Sequence, residues 1–236
     1  MKKIAVLQSN YIPWKGYFDI IHQVDEFIFY DDVQYTKNDW RNRNIIQTNA
    51  GPKWITVPAG SKENLLIDEV VLKDHSWQKK HHKMLLQSYA RAPFLSLYRE
   101  FLDHVYLEKE WNSLSELNQY LIRSVSSEFL GIETRFTNSR DYHKAGTKLE
   151  RLLNLLKSAG AEYYLSGPAA KDYIPNGAFE AAGIKLAWMD YSGYPAYRQL
   201  HSAEGCAHGV SILDLLFNTG PDAPWYIWGW RDSPQP

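Results

Sequence analysis

The fold of this chain is decided near its start, by the stretch "KIAVLQSNYIPWKGYFDIIHQVDEFIFYDDV" at residues 3–33. Ile4 to Gln8 is a short apolar run that predicts a buried strand, and Gly16 to Gln23 carries apolar residues at helical spacing. A second apolar run, Glu26 to Val33, ends in acidic residues. Strand, loop, helix and strand within about thirty residues have the size of one βαβ unit.

The same alternation returns later in the chain, after a helical block. The clearest helix runs from Ser113 to Phe129, where Ser113 and Glu116 have the spacing of a capping box. Further strands are expected at Lys53–Pro58, Asp68–Lys73, Glu133–Thr137, Glu162–Ser166 and Lys185–Met189. The pattern predicts an α/β fold with a mostly parallel sheet and flanking helices, in one domain (1–236) with a helical subdomain at about 77–130.

Charge and cysteine content exclude several classes of protein. The 236 residues include 26 basic and 27 acidic ones, for a formal net charge of −1, so no global field would gather nucleic acid or anionic lipid. A single cysteine, Cys206, excludes an internal disulfide. Neither a secretory leader nor an apolar stretch of about 18 residues is visible, so we expect a cytoplasmic protein without a membrane span.

Aromatic residues are unusually frequent. The chain has 16 Tyr, 9 Trp and 9 Phe, and many of them stand beside Asn, Asp, Gln or Arg rather than in apolar runs. Rings with a polar group suit stacking on, and hydrogen bonding to, sugars or nucleobases. The alternative is that these rings fill a core and pair their polar atoms internally.

Three polar segments are expected to meet at one edge of the sheet. Ligands of an open parallel sheet collect beyond the carboxyl ends of its strands, and here these ends lead into residues 8–16, 31–43 and 166–173. The "YSGYPAYRQLHSAEG" segment, residues 191–205, adds two more polar side chains. The binding residues expected from these segments are Gln8, Asn10, Tyr11, Trp14, Gly16, Gln34, Trp40, Arg41, Asn42, Arg43, Ser166, Gly167, Tyr173, Tyr197 and Gln199.

These residue types indicate phosphate binding and proton transfer. Asp31 and Asp32 could act as a general base or hold a divalent ion, while Arg41 and Arg43 could grip a phosphate. Lys171, the third catalytic candidate, could meet a phosphate as a point charge. The loop before the first helix is a natural phosphate seat. Each segment also has a structural alternative: a packed turn, a solvated loop with surface ion pairs, or an exposed lysine.

Metal and nucleophile chemistry find little support in the sequence. His75, His81 and His82 lack Cys or Glu partners at metal-ligand spacing, so we expect no structural metal. Cys206 has no neighbouring histidine or helix-start context that would activate it. The G-x-S-x-G cue of many serine hydrolases is also missing.

Taken together, the segments resemble the WbqC-like proteins of bacterial surface-polysaccharide gene clusters. The resemblance covers nearly the whole chain and rests on five motifs in order: "QSNYIPWKGYFDII" (8–21), "DDVQYTKNDWRNRN" (31–44), "YYLSGPAAKDYI" (163–174), "GYPAYRQL" (193–200) and "SILDLLFNTG" (211–220). Ser9 and Arg198 stand where the family pattern leads us to expect Pro.

The resemblance implies an enzyme of O-antigen or related glycan synthesis. We expect it to form an amide between the amine of a nucleotide-linked amino sugar and a small carboxylic or amino acid, with ATP and Mg²⁺ as candidate cofactors and an oligomer as an open possibility. The layout is similar to that of HUP-type nucleotidylyl transferases, but the loop has no histidine and the nearest is His22. The alternatives are a nucleotidylyl transferase-like enzyme and a non-catalytic partner that binds a sugar nucleotide.

Overall fold

A five-stranded parallel sheet forms the centre of the structure, a computed structural model that describes residues 1–60, 64–171, 174–175, 177–201 and 206–233. The strands in this part of the chain are β1 (Lys3–Leu7), β2 (Glu26–Phe29), β3 (Arg43–Thr48), β4 (Gly51–Thr56), β5 (Arg135–Asn138), β6 (Tyr163–Ser166) and β7 (Lys185–Trp188). The sheet has the order β5-β2-β1-β6-β7, and each neighbouring pair is parallel. The prediction of an α/β fold with a mostly parallel sheet is confirmed.

The strand order contains a switch point between β1 and β6. Counted in chain order, the five strands read 3-2-1-4-5 across the sheet, so the winding reverses where Lys3 lies opposite Tyr163. In doubly wound sheets, ligands bind in the crevice beyond the carboxyl ends of the strands at this point. The segments that follow Leu7 and Ser166 border that crevice.

Helices cover both sides of the sheet. The α-helices in the described residues are α1 (Lys15–His22), α2 (Ser76–Ser88), α3 (Arg99–Asp103), α4 (Leu114–Ser124), α5 (Lys148–Ser158), α6 (Ala178–Ala181) and α7 (Ile212–Thr219). Successive side chains of a strand point to opposite faces of the sheet, so the sheet separates two hydrophobic cores. Ala5 and Phe27 pack in the core that includes α1, α4 and α7, whereas Ile4 and Ile28 pack with Leu156 of α5. The sheet is therefore buried on both faces, as its continuous apolar strands require.

An antiparallel hairpin, β3–β4, stands apart from the main sheet. The predicted strand at Lys53–Pro58 corresponds to β4, but β3 was not predicted because its start, Arg43-Asn44, is polar. The predicted strand at Asp68–Lys73 is wrong. Residues Ile67–Glu69 form a 3₁₀ turn there, and only Val71 makes a single bridge, to Ser113. Val70 and Leu72 pack in the core and Val71 is exposed, so the segment does not extend a ladder.

The helical block between residues 77 and 130 is more broken than its periodicity suggests. Residues 95–108 do not form one continuous α-helix but a 3₁₀ turn at Leu95–Tyr98, α3, and a π-helical turn at His104–Glu108. The helix predicted from Ser113 is present as α4, and Ser113 Oγ accepts the Glu116 N–H at 3.4 Å.

The helical block shares one hydrophobic core with α1 and one face of the sheet, through Leu85, Leu102 and Leu121. Its description as a subdomain of a single domain stays a prediction. Among the described residues, every helix is too short or too polar to cross a bilayer.

Candidate functional site

A cavity of about 290 Å³ lies beside the first loop and the hairpin. Its lining comes from three separated parts of the chain: Asn10, Pro13, Trp14, Trp40, Asn44 and Gly209. Asn10, Trp14 and Trp40 were expected from the sequence to bind a ligand, and the structure brings these three together. The lining combines indole faces with amide groups, and the described residues contribute no acidic side chain to it.

The loop that carries Asn10 and Trp14 is held in an unusual conformation. Ile12 has φ = 36°, in the left-handed region that a β-branched residue rarely adopts. Asn44 Nδ2 donates to the carbonyls of Tyr11 and Ile12, at 3.1 and 2.9 Å, and so fixes the loop from the hairpin side. A strained residue persists only where its surroundings over-determine it, and such residues cluster at functional sites.

Gly16, an expected binding residue, packs against the ring of Trp14. A Cβ atom at this position would overlap the Trp14 ring, so the glycine allows the indole to fold back over the start of α1. The role of Gly16 in ligand binding stays a prediction. Trp14 is also packed edge-on by Tyr191 and Tyr194, with ring centroids 5.0 and 6.1 Å away.

Arginine side chains lie beside the cavity. Arg41 donates to Asn10 Oδ1 and lies 3.4 Å from Asp39 Oδ2, while the Arg43 guanidinium lies 4.2 Å from the ring centroid of Trp54. Trp54 and Trp40 form a ring pair with centroids 5.3 Å apart. The expected neighbourhood of Trp40, Arg41 and Arg43 is therefore present.

Lys15, which sequence reasoning did not select, is the most unusual charged group near the cavity. Its side chain is 2% exposed, directly follows Trp14, and lies at the positive end of α1, where a cation is disfavoured. Nζ donates to the Tyr226 carbonyl at 3.3 Å and lies over the rings of Tyr194 and Tyr197. Among the described residues, no acidic side chain forms an ion pair with it.

Burial lowers the pKa of Lys15 to about 8, although the nearby Cys206 and Asp19 oppose this shift. A lysine with such a pKa is partly neutral near pH 7 and can exchange a proton. A sequence signal existed, because a lysine at the first position of an apolar helix opposes both burial and the helix dipole.

Cys206 has a histidine neighbour. His208 Nδ1 lies 4.0 Å from Cys206 Sγ, so the expectation that no histidine lies beside the cysteine is wrong. Burial nevertheless raises the pKa of the Cys206 thiol, against the opposing effects of a backbone hydrogen bond and Lys15. A raised pKa keeps the thiol protonated, which disfavours a nucleophilic role.

Asp31 is surrounded by donors from its own chain. The side chain is 3% exposed, and its oxygens accept the Ser9 N–H at 2.7 Å, the Ser115 hydroxyl and the Gln119 amide at 3.2 Å. These bonds tie the loop after β1 to α4. Asp31 does not line the cavity, and its predicted catalytic role stays a prediction.

Asp32 belongs to a buried ion cluster. Its Oδ2 lies 3.0 Å from Lys144 Nζ and 2.6 Å from the Arg151 guanidinium, and Oδ1 accepts the Ser139 hydroxyl. Burial alone would raise the pKa of Asp32, but the hydrogen bonds from Ser139 and Lys144 and the two positive charges lower it below its usual value. The carboxylate is thus held ionised and paired, which weakens it as a base.

The segment after β6 lies in a different place from Asp31 and Asp32. Lys171 is exposed and lies 5.7 Å from the Trp188 ring centroid, in a depression along the edge strand β7. Ser166 is buried, and Gly167 begins a 3₁₀ turn. None of the three lines the cavity. Tyr173 lies outside the described residues.

Tyr11 is directed into the core. It is fully buried, its OH lies 2.9 Å from His81 Nδ1, and Tyr106 OH lies 2.7 Å away. Because His81 Nε2 must donate to the Thr56 carbonyl, Nδ1 accepts from Tyr11, which in turn accepts from Tyr106. Burial lowers the pKa of His81 to about 4, so this chain holds neutral groups.

Tyr197 and Gln199 form a buried network around Asp214. Tyr197 OH and Gln199 Nε2 each donate to Asp214 Oδ1 at 2.8 Å, and Tyr89 OH donates to Oδ2. Gln199 also bonds both backbone groups of Ala207, two residues from Gly209 in the cavity wall. Both side chains therefore position the wall of the cavity instead of lining it.

The remaining expected residues also serve the framework. The Gln8 carbonyl accepts the Tyr17 hydroxyl at 2.9 Å, and the buried Asn42 donates to the Val57 carbonyl at 2.9 Å. Gln34 is exposed and bridges to Leu66. Among the described residues, no group of three or more His, Cys, Asp or Glu side chains is placed to hold a metal ion.

Comparisons with known proteins agree with the resemblance seen in the motifs. The model of the WbqC-like protein family matches residues 8–226. The chain is 48% identical over 229 residues to the uncharacterized protein Rv1507c of Mycobacterium tuberculosis (strain ATCC 25618 / H37Rv). The aligned region covers 96% of this chain and 98% of that protein. No solved structure matches this chain. The chain therefore belongs to the WbqC-like protein family.

Proposed function

We propose that this protein is an enzyme that binds a nucleotide-linked amino sugar and forms an amide at the amine of the sugar. The observation that supports the proposal most is the cavity between the first loop and the hairpin, with its indole faces and amide groups and with Arg41 and Arg43 beside it. Sugars bind to aromatic faces and amides, and phosphates bind to arginine.

The size of the cavity favours one ring of such a ligand. A volume of about 290 Å³ lies at the lower end of the range for small-molecule sites. We assign the cavity to the amino sugar, which would rest on Trp14 and Trp40. Asn10 Nδ2 makes no hydrogen bond to the described residues and is free to donate to a hydroxyl or carbonyl of the sugar.

Amide formation requires a group that accepts a proton. The sugar amine attacks the carbonyl carbon of an activated carboxylic or amino acid, the C–N bond forms, the leaving group departs with the electrons of its bond, and the nitrogen loses a proton. We assign the acceptor to Lys15, which follows Trp14 of the cavity lining in the chain without itself lining the cavity, and whose pKa of about 8 suits proton transfer near neutral pH. Asp31 and Asp32, the predicted bases, are engaged by the protein's own donors.

The wider setting of the proposal rests on the resemblance. It comprises synthesis of O-antigen or a related surface glycan in the cytoplasm, with ATP and Mg²⁺ as candidate cofactors.

Product mass tests this proposal. The protein is incubated with UDP- and dTDP-linked amino sugars, a panel of carboxylic and amino acids, ATP and Mg²⁺, and the sugar nucleotides are then weighed by mass spectrometry. We expect a gain equal to the acid minus one water, and no gain with the matching sugar that has a hydroxyl instead of the amine. The absence of any product across the panel would contradict the proposal.

A second candidate function is binding without catalysis. It is favoured by one observation, the engagement of Asp31 and Asp32 in structural bonds, which leaves neither carboxylate free to act as a base. This candidate predicts saturable binding of a sugar nucleotide by calorimetry with no turnover in the presence of any acid or ATP. Lys15→Met separates the two, because an enzyme loses rate with little change in affinity.

A further inference from the structure

Two partly exposed indoles extend the cavity onto the surface of the hairpin. Trp40 and Trp54 are each 42% exposed, their ring centroids are 5.3 Å apart, and their planes are inclined by 40°. Trp40 also lines the cavity. Large apolar side chains that stay exposed next to each other are candidates for binding a ligand or partner.

The backbone of each tryptophan is anchored. The Trp40 carbonyl accepts the Tyr11 N–H at 3.0 Å, so the backbone of Trp40 is tied to the loop that forms the cavity. Trp54 lies opposite Ile45 in the antiparallel ladder of β3 and β4. Anchored backbones leave less conformational freedom to lose when a ligand binds, which favours affinity.

Positive charge accompanies the indoles. The Arg43 guanidinium lies 4.2 Å from the Trp54 centroid, and Arg43 Nε is buried without a hydrogen-bond partner among the described residues. Arg41 lies between Asn10 of the cavity and Asp39. A planar ring that carries an anionic group complements such a surface better than a neutral sugar does, because stacking and ionic contacts then act together.

We propose that Trp54, together with Trp40 and Arg43, forms a subsite for the base and phosphates of a nucleotide-linked ligand. This inference rests on the proposed function, since it assigns the sugar of the same ligand to the adjoining cavity. The base stacks on the exposed indole surface, and the phosphates face the arginines. Trp54 was not among the residues expected from the sequence, because it lies within a strand.

Binding measurements with three ligands test the subsite. Calorimetry compares a UDP-linked hexosamine, a dTDP-linked hexosamine and the hexosamine 1-phosphate, on the wild type, Trp54→Ala and Trp54→Phe. Loss of one stacked base costs about 1–3 kcal/mol, so Trp54→Ala should weaken the nucleotide-linked ligands by about 5- to 150-fold. Trp54→Phe should retain most of the affinity, and hexosamine 1-phosphate should bind all three proteins alike.

The controls separate the possible failures. Leu97→Ala, which also removes an exposed apolar side chain, should leave all affinities unchanged. If the wild type binds the nucleotide sugar and Trp54→Ala binds it equally well, the subsite is overturned and the proposed function is unaffected. An equal loss of hexosamine 1-phosphate would also overturn it, since the indole would then bind the sugar. A wild type that binds no nucleotide sugar would overturn both proposals.

Discussion

At the scale of single residues, Lys15 shows how the burial of a charged group opposes stability. Its ammonium is nearly inaccessible and lacks a carboxylate partner among the described residues. A charge in such a place costs folding free energy, and groups of this kind are often kept for their chemistry. The consequence is a measurable link between pH and stability.

We expect Lys15→Met to stabilise the fold at pH 7. The pKa of Lys15 falls from 10.5 in the unfolded chain to about 8 in the fold, so the wild type binds fewer protons when folded and gains stability as the pH rises from 8 to 10.5. Below pH 8 the charged form costs up to about 3 kcal/mol, which methionine removes. Urea unfolding at pH 7 and pH 10 measures the difference.

Lys171→Met is the matched control, because Lys171 is exposed and should leave stability unchanged at both pH values. The expectation for Lys15 fails if Lys15→Met is less stable than the wild type at pH 7, or if its advantage does not shrink as the pH rises. In that case the aromatic surroundings stabilise the ammonium and Lys15 is a structural cation.

Asp32 gives the opposite expectation. Asp32→Asn leaves Lys144 and Arg151 without their shared anion, so the fold should lose about 2–3 kcal/mol, somewhat less than for a fully enclosed pair because Arg151 is 28% exposed. Urea unfolding measures the loss, and Glu133→Gln, at an exposed position outside helices and strands, is the control. A variant of unchanged stability but lost activity would instead support the catalytic role predicted from the sequence.

At the scale of elements, the first loop depends on the hairpin. Asn44→Ala removes the two hydrogen bonds that hold the carbonyls of Tyr11 and Ile12. Without them, the backbone of Ile12 is no longer constrained to its positive φ. We expect a stability loss of about 1–3 kcal/mol and a larger loss of ligand affinity, because the cavity wall relaxes. Thermal melting and calorimetry with a UDP-linked hexosamine measure the two effects.

Asn42→Ala provides the comparison for Asn44. Asn42 is equally buried but donates to the Val57 carbonyl, away from the loop. Similar melting temperatures for the two variants, with affinity lost only in Asn44→Ala, would support the loop argument. Loss of affinity in Asn42→Ala would favour the binding role that the sequence suggested for it.

The elements also show how much of the fold the local sequence pattern predicts. The unit β1–α1–β2 was predictable because its periodicity and its loop are contained in about thirty residues. β3 was not, because it begins with the polar residues Arg43 and Asn44. The turn at Ile67–Glu69 was not, because the contacts around it, such as the bridge from Val71 to Ser113, are tertiary and local propensity does not encode them. In the site, Asn10, Trp14 and Trp40 follow from strand ends, Asn44 lies one residue beyond the polar segment 31–43, and Gly209 reaches the cavity from a distant part of the chain.

At the scale of the whole molecule, the aromatic end of the chain packs on its beginning. The Trp228 ring stacks on His22 with centroids 3.9 Å apart, and the Arg231 guanidinium donates to both oxygens of Asp19 in α1, at 3.0 and 2.7 Å. Asp19 also accepts the Tyr194 hydroxyl, and the Tyr194 ring covers Lys15. The tail therefore belongs to the framework that encloses the buried lysine.

We expect Arg231→Gln to destabilise the protein by about 2–4 kcal/mol, because it leaves the fully buried Asp19 without its cation. The stability of Arg231→Lys should lie between those of the wild type and Arg231→Gln, since lysine cannot bond both carboxylate oxygens at once. The exposed Arg91→Gln is the control. Urea unfolding measures stability, and tryptophan fluorescence reports whether Trp228 leaves its stacked position.

Arg231→Gln should also change the pKa of Lys15. With Arg231 gone, the charge of Asp19 is no longer offset, and since Asp19 already acts to raise the pKa of Lys15, that pKa should rise further. Reductive methylation with ¹³C-formaldehyde followed by NMR titration would measure it. An unchanged titration of Lys15 in a destabilised Arg231→Gln protein would mean that the tail acts by packing alone, and that the charge pair and the buried lysine are independent.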